Sequence, residues 1–116
     1  MGEGARASLW KMESILHQTL EGRVVTEAEI VHDYVQLAFG DGIGVSIFNE
    51  MLISPRPASV GTLVGKIVAL VKETESRIEI NFADGSRIDI DMRPIAYRGP
   101  EALVLHRQGL PTVVWN

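Results

Sequence analysis

Three acidic residues in the second half of the chain form its sharpest charged group. A β-hairpin there would place Glu79 opposite Asp89, with Asp91 two residues further along the same strand. Carboxylates that face each other across a sheet repel by a few tenths to about 1 kcal/mol, so the group is a candidate site for a cation or for a basic protein partner. The alternative is that Arg77 and Arg87 flank the carboxylates and neutralise them on a solvated face.

A second polar group lies near the C-terminus. Tyr97, Arg98, Glu101 and His106 fall within one short segment rich in turn residues. Binding residues are found disproportionately on such irregular segments, so these four are candidate ligand-binding residues beside a cleft. The alternative is that residues 100–102 begin a single helical turn, in which Glu101 would be favourable at the N-terminal end.

The remaining patterns argue against catalysis and against cofactors. The three histidines, His17, His32 and His106, lack the spacing of metal ligands, and the chain has no cysteine. No nucleophile elbow, P-loop or dinucleotide fingerprint is present. The glycine-rich segment 40–44 lies between two predicted strands, whereas a phosphate-binding loop precedes a helix. We therefore predict a protein without catalytic residues, metal or cofactor.

The elements that position these residues are repeated within the chain. Residues 20–49 align with residues 63–92 without a gap, at a constant offset of 43 (Gly65 minus Gly22). Only three phenylalanines occur, and two of them fall in register. The matching pairs are Leu20/Leu63, Gly22/Gly65, Arg23/Lys66, Val24/Ile67, Val25/Val68, Val35/Ile78, Leu37/Ile80, Phe39/Phe82, Asp41/Asp84, Gly42/Gly85, Val45/Ile88 and Ile47/Ile90.

A helix is predicted before the first repeat, over residues 8–21. Apolar residues recur there at helical spacing from Leu9 to Leu20. Ser8 can cap its start, and Gly22 can end it in the left-handed conformation.

Alternating apolar and polar residues predict three strands in each repeat. The predicted strands are 23–31, 34–40 and 43–49, then 66–72, 77–83 and 86–92. A linker follows the first repeat, and a hairpin of 102–107 with 112–115 follows the second. The single domain 1–116 thus comprises helix 8–21, repeat one 22–49, linker 50–62, repeat two 63–92 and a C-terminal turn and hairpin 93–116.

The register of both inner hairpins follows from their apolar rows. A two-residue turn at the Asp-Gly pair would place the apolar rows of the two strands on opposite faces of the sheet. A three-residue loop instead pairs Leu37 with Val45, and Ile80 with Ile88. It also places Gly42 and Gly85 where a type I turn followed by a G1 bulge needs a positive φ.

The fold predicted from these elements is α+β and mostly β, either a small barrel or a two-layer roll. The outward row of repeat two is charged, whereas that of repeat one is neutral and contains Tyr34 and Phe48. Because a sheet that is apolar on both faces is normally covered on both, the N-terminal helix or a second subunit is expected to cover this row. Tyr34, Phe48 and Trp10 are therefore candidate homodimer contacts.

Composition limits the partners and the compartment. The chain has 116 residues and a formal charge of −4, which disfavours a surface that binds nucleic-acid phosphates. No stretch approaches the roughly 20 apolar residues of a membrane span. The first residues do not have the pattern of a signal peptide. A cytoplasmic protein that binds neither nucleic acid nor membrane is the resulting expectation.

The motifs L-x-G-[RK]-x-V and F-x-D-G-x-x-[VI]-x-I, with the segment 97–102 and the terminal Val113–Trp115, resemble those of short bacterial proteins of unknown function. Some of these are similar to the immunity proteins of toxin–immunity systems, which bind a partner and do not catalyse a reaction. The resemblance implies a non-enzymatic binding module, either immunity-like or accessory. The alternatives are a small-molecule binder or small enzyme that uses the C-terminal group, and a structural homo-oligomer.

Overall fold

The computed structural model describes residues 14–116. Two predictions lie outside these residues: the capping of the helix by Ser8, and the contact of Trp10 with another chain. The predicted continuous helix 8–21 is wrong at Ser14, whose backbone is extended. The described helix, α1, is Ile15–Leu20.

The helix α1 begins and ends on local signals. The side-chain oxygen of Ser14 accepts a hydrogen bond from the backbone N–H of His17 at 3.1 Å and so caps the first turn. After the helix, Gly22 has a φ of +81°, the left-handed conformation that the sequence predicts there. Leu16 and Leu20 are fully buried, so α1 packs on the sheets by one apolar face.

Nine strands within residues 14–116 form two antiparallel sheets. One sheet has the order β1-β2-β3-β8-β9 and the other the order β4-β7-β6-β5. The strands are β1 (Glu27–Val31), β2 (Tyr34–Ala38), β3 (Ile43–Ile47), β4 (Met51–Ser54), β5 (Val68–Glu73), β6 (Arg77–Phe82), β7 (Arg87–Asp91), β8 (Leu103–Arg107) and β9 (Val113–Trp115). The predicted small barrel is wrong, because each sheet ends in edge strands and neither closes on itself.

The predicted registers are confirmed in both repeats. In β2 and β3, Leu37 lies opposite Val45, and in β6 and β7, Ile80 lies opposite Ile88. The same offset of 43 relates the first pair of strands in each repeat, because Glu29 lies opposite Gln36 and Lys72 opposite Glu79. The two halves of the chain therefore form equivalent three-stranded meanders.

Each meander gains a fourth strand from the segment that follows the other one. β4 follows repeat one but pairs with β7 of repeat two. β8 follows repeat two but pairs with β3 of repeat one. β4 lies within the range 50–62 that the sequence predicts as a linker, and a 3₁₀ helix, Val60–Leu63, crosses the end of that range. The predicted C-terminal hairpin is confirmed as β8 and β9.

The repeats also meet directly through equivalent backbone bonds. The N–H of Gly22 donates to the carbonyl oxygen of Val68, and the N–H of Gly65 donates to that of Val25, both at 2.8 Å. Because each donor and acceptor has its counterpart 43 residues away, the contact between the repeats is reciprocal.

The two inner hairpins use different turns. In the second, the N–H of Gly85 donates to the carbonyl of Phe82 at 3.0 Å, and Gly85 has a φ of +92°, as a type I turn with a G1 bulge requires. In the first, both Asp41 (+54°) and Gly42 (+73°) have positive φ, as the central residues of a type I′ turn do. The predicted loop length and register hold, but the predicted turn type is wrong for the first hairpin.

One hydrophobic core joins the sheets. Its members come from α1, from both meanders, from β4 and from β8. No helix within residues 14–116 has the length and apolar character needed to cross a membrane.

Candidate binding cleft

The predicted acidic group lies on the outer face of the second sheet and is paired with arginines. Glu79 lies opposite Asp89, as predicted. Arg77 is 2.6 Å from a carboxylate oxygen of Glu79, and Nε of Arg87 donates to Asp89 at 2.9 Å. Glu79 is only 8% exposed. The predicted solvated face is therefore wrong at this residue, while neutralisation by the two arginines, the alternative reading, is what the ion pairs indicate.

The third member of the group, Asp91, pairs with a different arginine. Its carboxylate accepts hydrogen bonds from the Arg93 guanidinium, the shortest at 2.6 Å, and one from the Arg93 backbone N–H at 3.0 Å. These bonds lower the pKa of Asp91 to about 2. Asp89 and Asp91 both line a surface depression of about 650 Å³, whose other charged residues are Glu50, Arg77 and Arg93.

The C-terminal group is divided between different surfaces. Arg98 and Glu101 line the same small depression of about 240 Å³, next to Phe48. Tyr97 ends the short 3₁₀ helix Pro94–Ala96, and His106 lies opposite Gly44 in the β3–β8 ladder. Neither Tyr97 nor His106 lines the depressions that contain Arg98. The structure brings Arg98 and Glu101 together, and it does not gather the four residues around one ligand.

Arg98 also lines a larger cleft of about 690 Å³. This cleft, which we call the edge cleft, lies where the β1–β2 hairpin of the first sheet meets β4 of the second. Its lining residues are Ile30, Asp33, Tyr34, Val35, Ile47, Asn49, Met51, Leu52, Ile53, Arg56, Pro57, Ala58, Ser59, Val60 and Arg98.

Apolar side chains form the rim and the floor of the edge cleft. Ile30 on β1 is 64% exposed and Leu52 on β4 is 47% exposed, so each places a large apolar group at the rim. On the floor, Val35 and Ile53 are each 9% exposed, the highest value among the buried apolar residues of the described chain. The cleft therefore opens towards the hydrophobic core between two sheet edges.

Two arginines give the edge cleft a positive character. Arg98 donates from one guanidinium nitrogen to the backbone carbonyl of Asp33 at 3.1 Å, which places its charge beside the β1–β2 turn. Arg56 is exposed and forms no ion pair with any residue of 14–116. With the single carboxylate of Asp33, the lining carries two positive groups and one negative group, although the whole chain is acidic.

A buried amide lies at the inner end of the edge cleft. Asn49 is 2% exposed, and its side-chain nitrogen donates to the backbone carbonyl of Asp91 at 2.8 Å. Its side-chain oxygen has no hydrogen-bond partner within residues 14–116. An unsatisfied buried acceptor costs about 1–3 kcal/mol, and such groups occur at binding sites.

The polar groups of the edge cleft can form hydrogen bonds and ion pairs with a bound molecule. The polar side-chain groups of the cleft are two guanidiniums, one carboxylate, one amide and the two hydroxyls of Tyr34 and Ser59, in none of the paired arrangements of a nucleophile with a base. In the described chain, no group of three or more His, Asp or Glu side chains is arranged to hold a metal ion. Comparison with protein-family models, with curated proteins and with solved structures gives no match for the chain.

Of the cleft residues, Arg98 is predicted from the sequence as a ligand-binding residue and Tyr34 as an interface residue. Tyr34 and Phe48 stack on each other, with ring centroids 4.8 Å apart. The rim residues Ile30 and Leu52 were missed. A large apolar residue at an outward position of an edge strand would identify them. The sequence does not show which strands lie at the edges of the sheets.

Proposed function

We propose that this protein is a non-enzymatic binding module that recognises a protein partner through the edge cleft. The observation that carries this proposal is the pair of exposed apolar side chains, Ile30 and Leu52, which line one cleft from two different sheets. Leu52 also lines the neighbouring depression beside Asp89 and Asp91. Exposed apolar surface that is rimmed by polar groups is typical of protein-interaction sites.

The charge distribution supports this cleft over the acidic face that the sequence suggests. Around Glu79 and Asp89, each carboxylate has an arginine within ion-pair distance, so little free negative charge remains for a basic partner. In the edge cleft, Arg56 remains available. A partner with apolar side chains and negative charge is complementary to this cleft.

Photo-crosslinking tests the proposal. The photoreactive residue p-benzoylphenylalanine is introduced at Leu52 in cells that naturally produce the protein, and at Val114, an exposed apolar residue of edge strand β9, as the control. We expect one protein to crosslink from position 52 and not from position 114. The purified partner is then titrated with the wild type, Leu52→Lys and Val114→Lys.

We expect Leu52→Lys to weaken binding at least tenfold and Val114→Lys to leave it unchanged. Equal crosslinking from both positions, or no loss of affinity in Leu52→Lys, contradicts the proposal. The resemblance to immunity proteins makes a toxin one candidate partner. In that case, cells that express the wild type survive the toxin and cells that express Leu52→Lys do not.

Small-molecule binding is a second candidate, and one observation favours it. The edge cleft, at about 690 Å³, has the volume of a ligand pocket, and it contains Arg98. Native mass spectrometry of the protein isolated from its own cells tests this function. A bound small molecule that is lost in Leu52→Lys supports it, and a mass equal to that of the bare chain contradicts it.

The two meanders, we infer, descend from one duplicated unit. The constant offset of 43 between equivalent strand pairs supports this inference. The exchange of β4 and β8 between the meanders supports a single domain, because each half completes the sheet of the other. A homodimer through Tyr34 and Phe48 stays a prediction, and light scattering over a range of concentrations tests it.

A further inference from the structure

We propose that the edge cleft binds an extended segment of the partner as a fifth strand on β4, with an acidic side chain of that segment held by Arg56 and Arg98. This inference rests on the proposed function, because it specifies the form in which the protein partner enters the cleft.

The backbone of β4 has unused hydrogen-bonding positions that face away from β7. The N–H of Asp91 donates to the carbonyl of Glu50 at 3.0 Å, and the register places Leu52 opposite Asp89. In an antiparallel ladder, every second residue bonds to the same neighbour. Leu52 therefore bonds to β7, while the N–H and C=O groups of Met51 and Ile53 point to the open edge.

The open edge of β4 coincides with the edge cleft. Met51, Leu52 and Ile53 are consecutive lining residues, and β4 is the terminal strand of its sheet. Exposed edges of this kind accept an extended peptide by strand addition, in which backbone bonds supply affinity and side-chain pockets supply specificity. On the other side of the cleft, the 3₁₀ helix Val60–Leu63 packs against β1, so β4 offers the more accessible edge.

Side chains of an added strand would alternate between the two environments of the cleft. Those on one face would meet Val35 and Ile53, at the point where the core is least covered. Those on the other face would meet Leu52 at the rim. This arrangement selects a segment of about five residues with apolar groups at alternate positions.

The charges of the cleft specify the polar part of that segment. Arg98 is fixed by its bond to the carbonyl of Asp33, and Arg56 lies two residues after the end of β4. A guanidinium binds a carboxylate by charge-assisted hydrogen bonds, which are shorter and stronger than those between neutral groups. We therefore assign the anionic group to an Asp or Glu side chain within the segment.

A phage-displayed library of random heptapeptides, selected on the full chain, tests this inference. We expect the enriched peptides to carry alternating apolar residues with one Asp or Glu, and to bind Arg56→Gln and Arg98→Gln about tenfold more weakly than the wild type. A lysine variant of exposed Val114 is the matched control, and its affinity should be unchanged.

Amide hydrogen exchange by NMR then reports the binding mode. With a saturating selected peptide, exchange at Met51 and Ile53 should slow at least tenfold, while the already bonded amide of Leu52 changes little. The inference is overturned if the selected peptides bind without protecting these amides, or if they are helical or basic. It is also overturned if the library yields no binder. Dependence on a free C-terminal carboxylate instead of Asp or Glu overturns the assignment of the anionic group.

The two proposals fail separately. A protein that crosslinks at Leu52, combined with unprotected Met51 and Ile53 amides, leaves the proposed function intact and removes strand addition. The absence of any crosslinked protein removes the proposed function itself.

Discussion

Val24 and Ile67 occupy the same position in the two repeats, and they form an antiparallel bridge with each other. A residue that pairs with its own counterpart lies on the local twofold axis between the two halves. The reciprocal bonds of Gly22 and Gly65 surround this bridge. Equivalent substitutions near the axis should therefore have equal effects on stability.

Gly22→Ala and Gly65→Ala test this equivalence. Their φ angles are +81° and +92°, and an added methyl group would meet no atom within 4 Å at either position. The cost is thus conformational, and we expect each variant to lose about 1–2 kcal/mol of unfolding free energy in urea titrations. Gly61→Ala, without a positive φ, should lose less, and a large difference between the first two variants would contradict the equivalence.

The sequence was sufficient to predict the meanders because their signals are local. Alternation with a period of two residues fixes which side chains face the core, and the glycine of each turn fixes the register. These signals place Leu37 opposite Val45. The strand β4 was missed because Pro55 and Pro57 follow it immediately, and because its pairing with β7 is a contact between distant parts of the chain.

The candidate site was less predictable than the fold. The acidic residues do face each other, but the sequence does not indicate that Glu79 is buried beneath its arginines. The edge cleft depends on two sheet edges that meet in space, so the sequence patterns around Ile30 and Leu52 do not reveal it. Arg98 was recognised because a charged residue in an irregular segment is itself a signal.

The imidazole of His17 joins α1 to the second sheet. Its Nδ1 accepts a hydrogen bond from the backbone N–H of the fully buried Val71 at 3.0 Å. Because His17→Leu leaves this N–H without an acceptor, we expect a loss of about 1–3 kcal/mol in unfolding free energy and faster exchange of the Val71 amide. Glu21→Ala removes only a surface partner of His17 and should cost less than about 0.5 kcal/mol. Equal effects of the two variants would contradict this role.

The burial of Glu79 can be tested against its counterpart in repeat one. Glu79→Ala leaves Arg77 and Arg87 with Asp89 as their one remaining shared carboxylate. Because both arginine side chains are about half exposed, we expect a loss of about 1 kcal/mol in thermal or urea unfolding. The equivalent position holds the exposed Gln36, so Gln36→Ala should change stability by less than about 0.5 kcal/mol. A loss in Glu79→Ala no greater than that in Gln36→Ala would show that the arginine pairs contribute little.

The Asp91–Arg93 pair predicts a dependence of stability on pH. Because Arg93 lowers the pKa of Asp91 to about 2, the folded state binds a proton at this group less readily than the unfolded state, whose pKa is about 3.9. The stabilisation is therefore complete above about pH 5 and is lost as the pH falls towards 2. We expect Asp91→Asn to show a smaller loss of stability between pH 5 and pH 2 than the wild type.

Urea titrations at pH 7, 5, 3 and 2 measure this dependence, with Arg93→Gln as the control. If the ion pair is the cause, Arg93→Gln flattens the same part of the pH profile, and the double variant resembles either single variant. An unchanged profile in Arg93→Gln would assign the acid sensitivity to other carboxylates, among which Asp84 also has a lowered pKa through its bonds to Lys66 and Ser86.

The two inner hairpins differ in what surrounds the glycine of the turn, Gly42 in the first and Gly85 in the second. A methyl group added at Gly42 would lie 2.3 Å from Cβ of Gln108, whereas one added at Gly85 would meet no atom within 4 Å. The Gln108 backbone N–H also donates to the carbonyl of Gly42 at 3.0 Å, so the two loops cannot separate without losing this bond. The β8–β9 turn therefore packs on the first hairpin and has no counterpart at the second.

Gly85→Ala should lose about 1–2 kcal/mol of unfolding free energy, because only its positive φ is strained. Gly42→Ala carries the same strain and a steric clash, so we expect a further loss of about 1–3 kcal/mol. Adding Gln108→Gly removes the clashing Cβ, and it should return Gly42→Ala to the stability loss of Gly85→Ala. If Gly42→Ala loses as much unfolding free energy with Gln108→Gly as without it, the packing of the β8–β9 turn on the first hairpin does not explain why Gly42→Ala is less stable than Gly85→Ala.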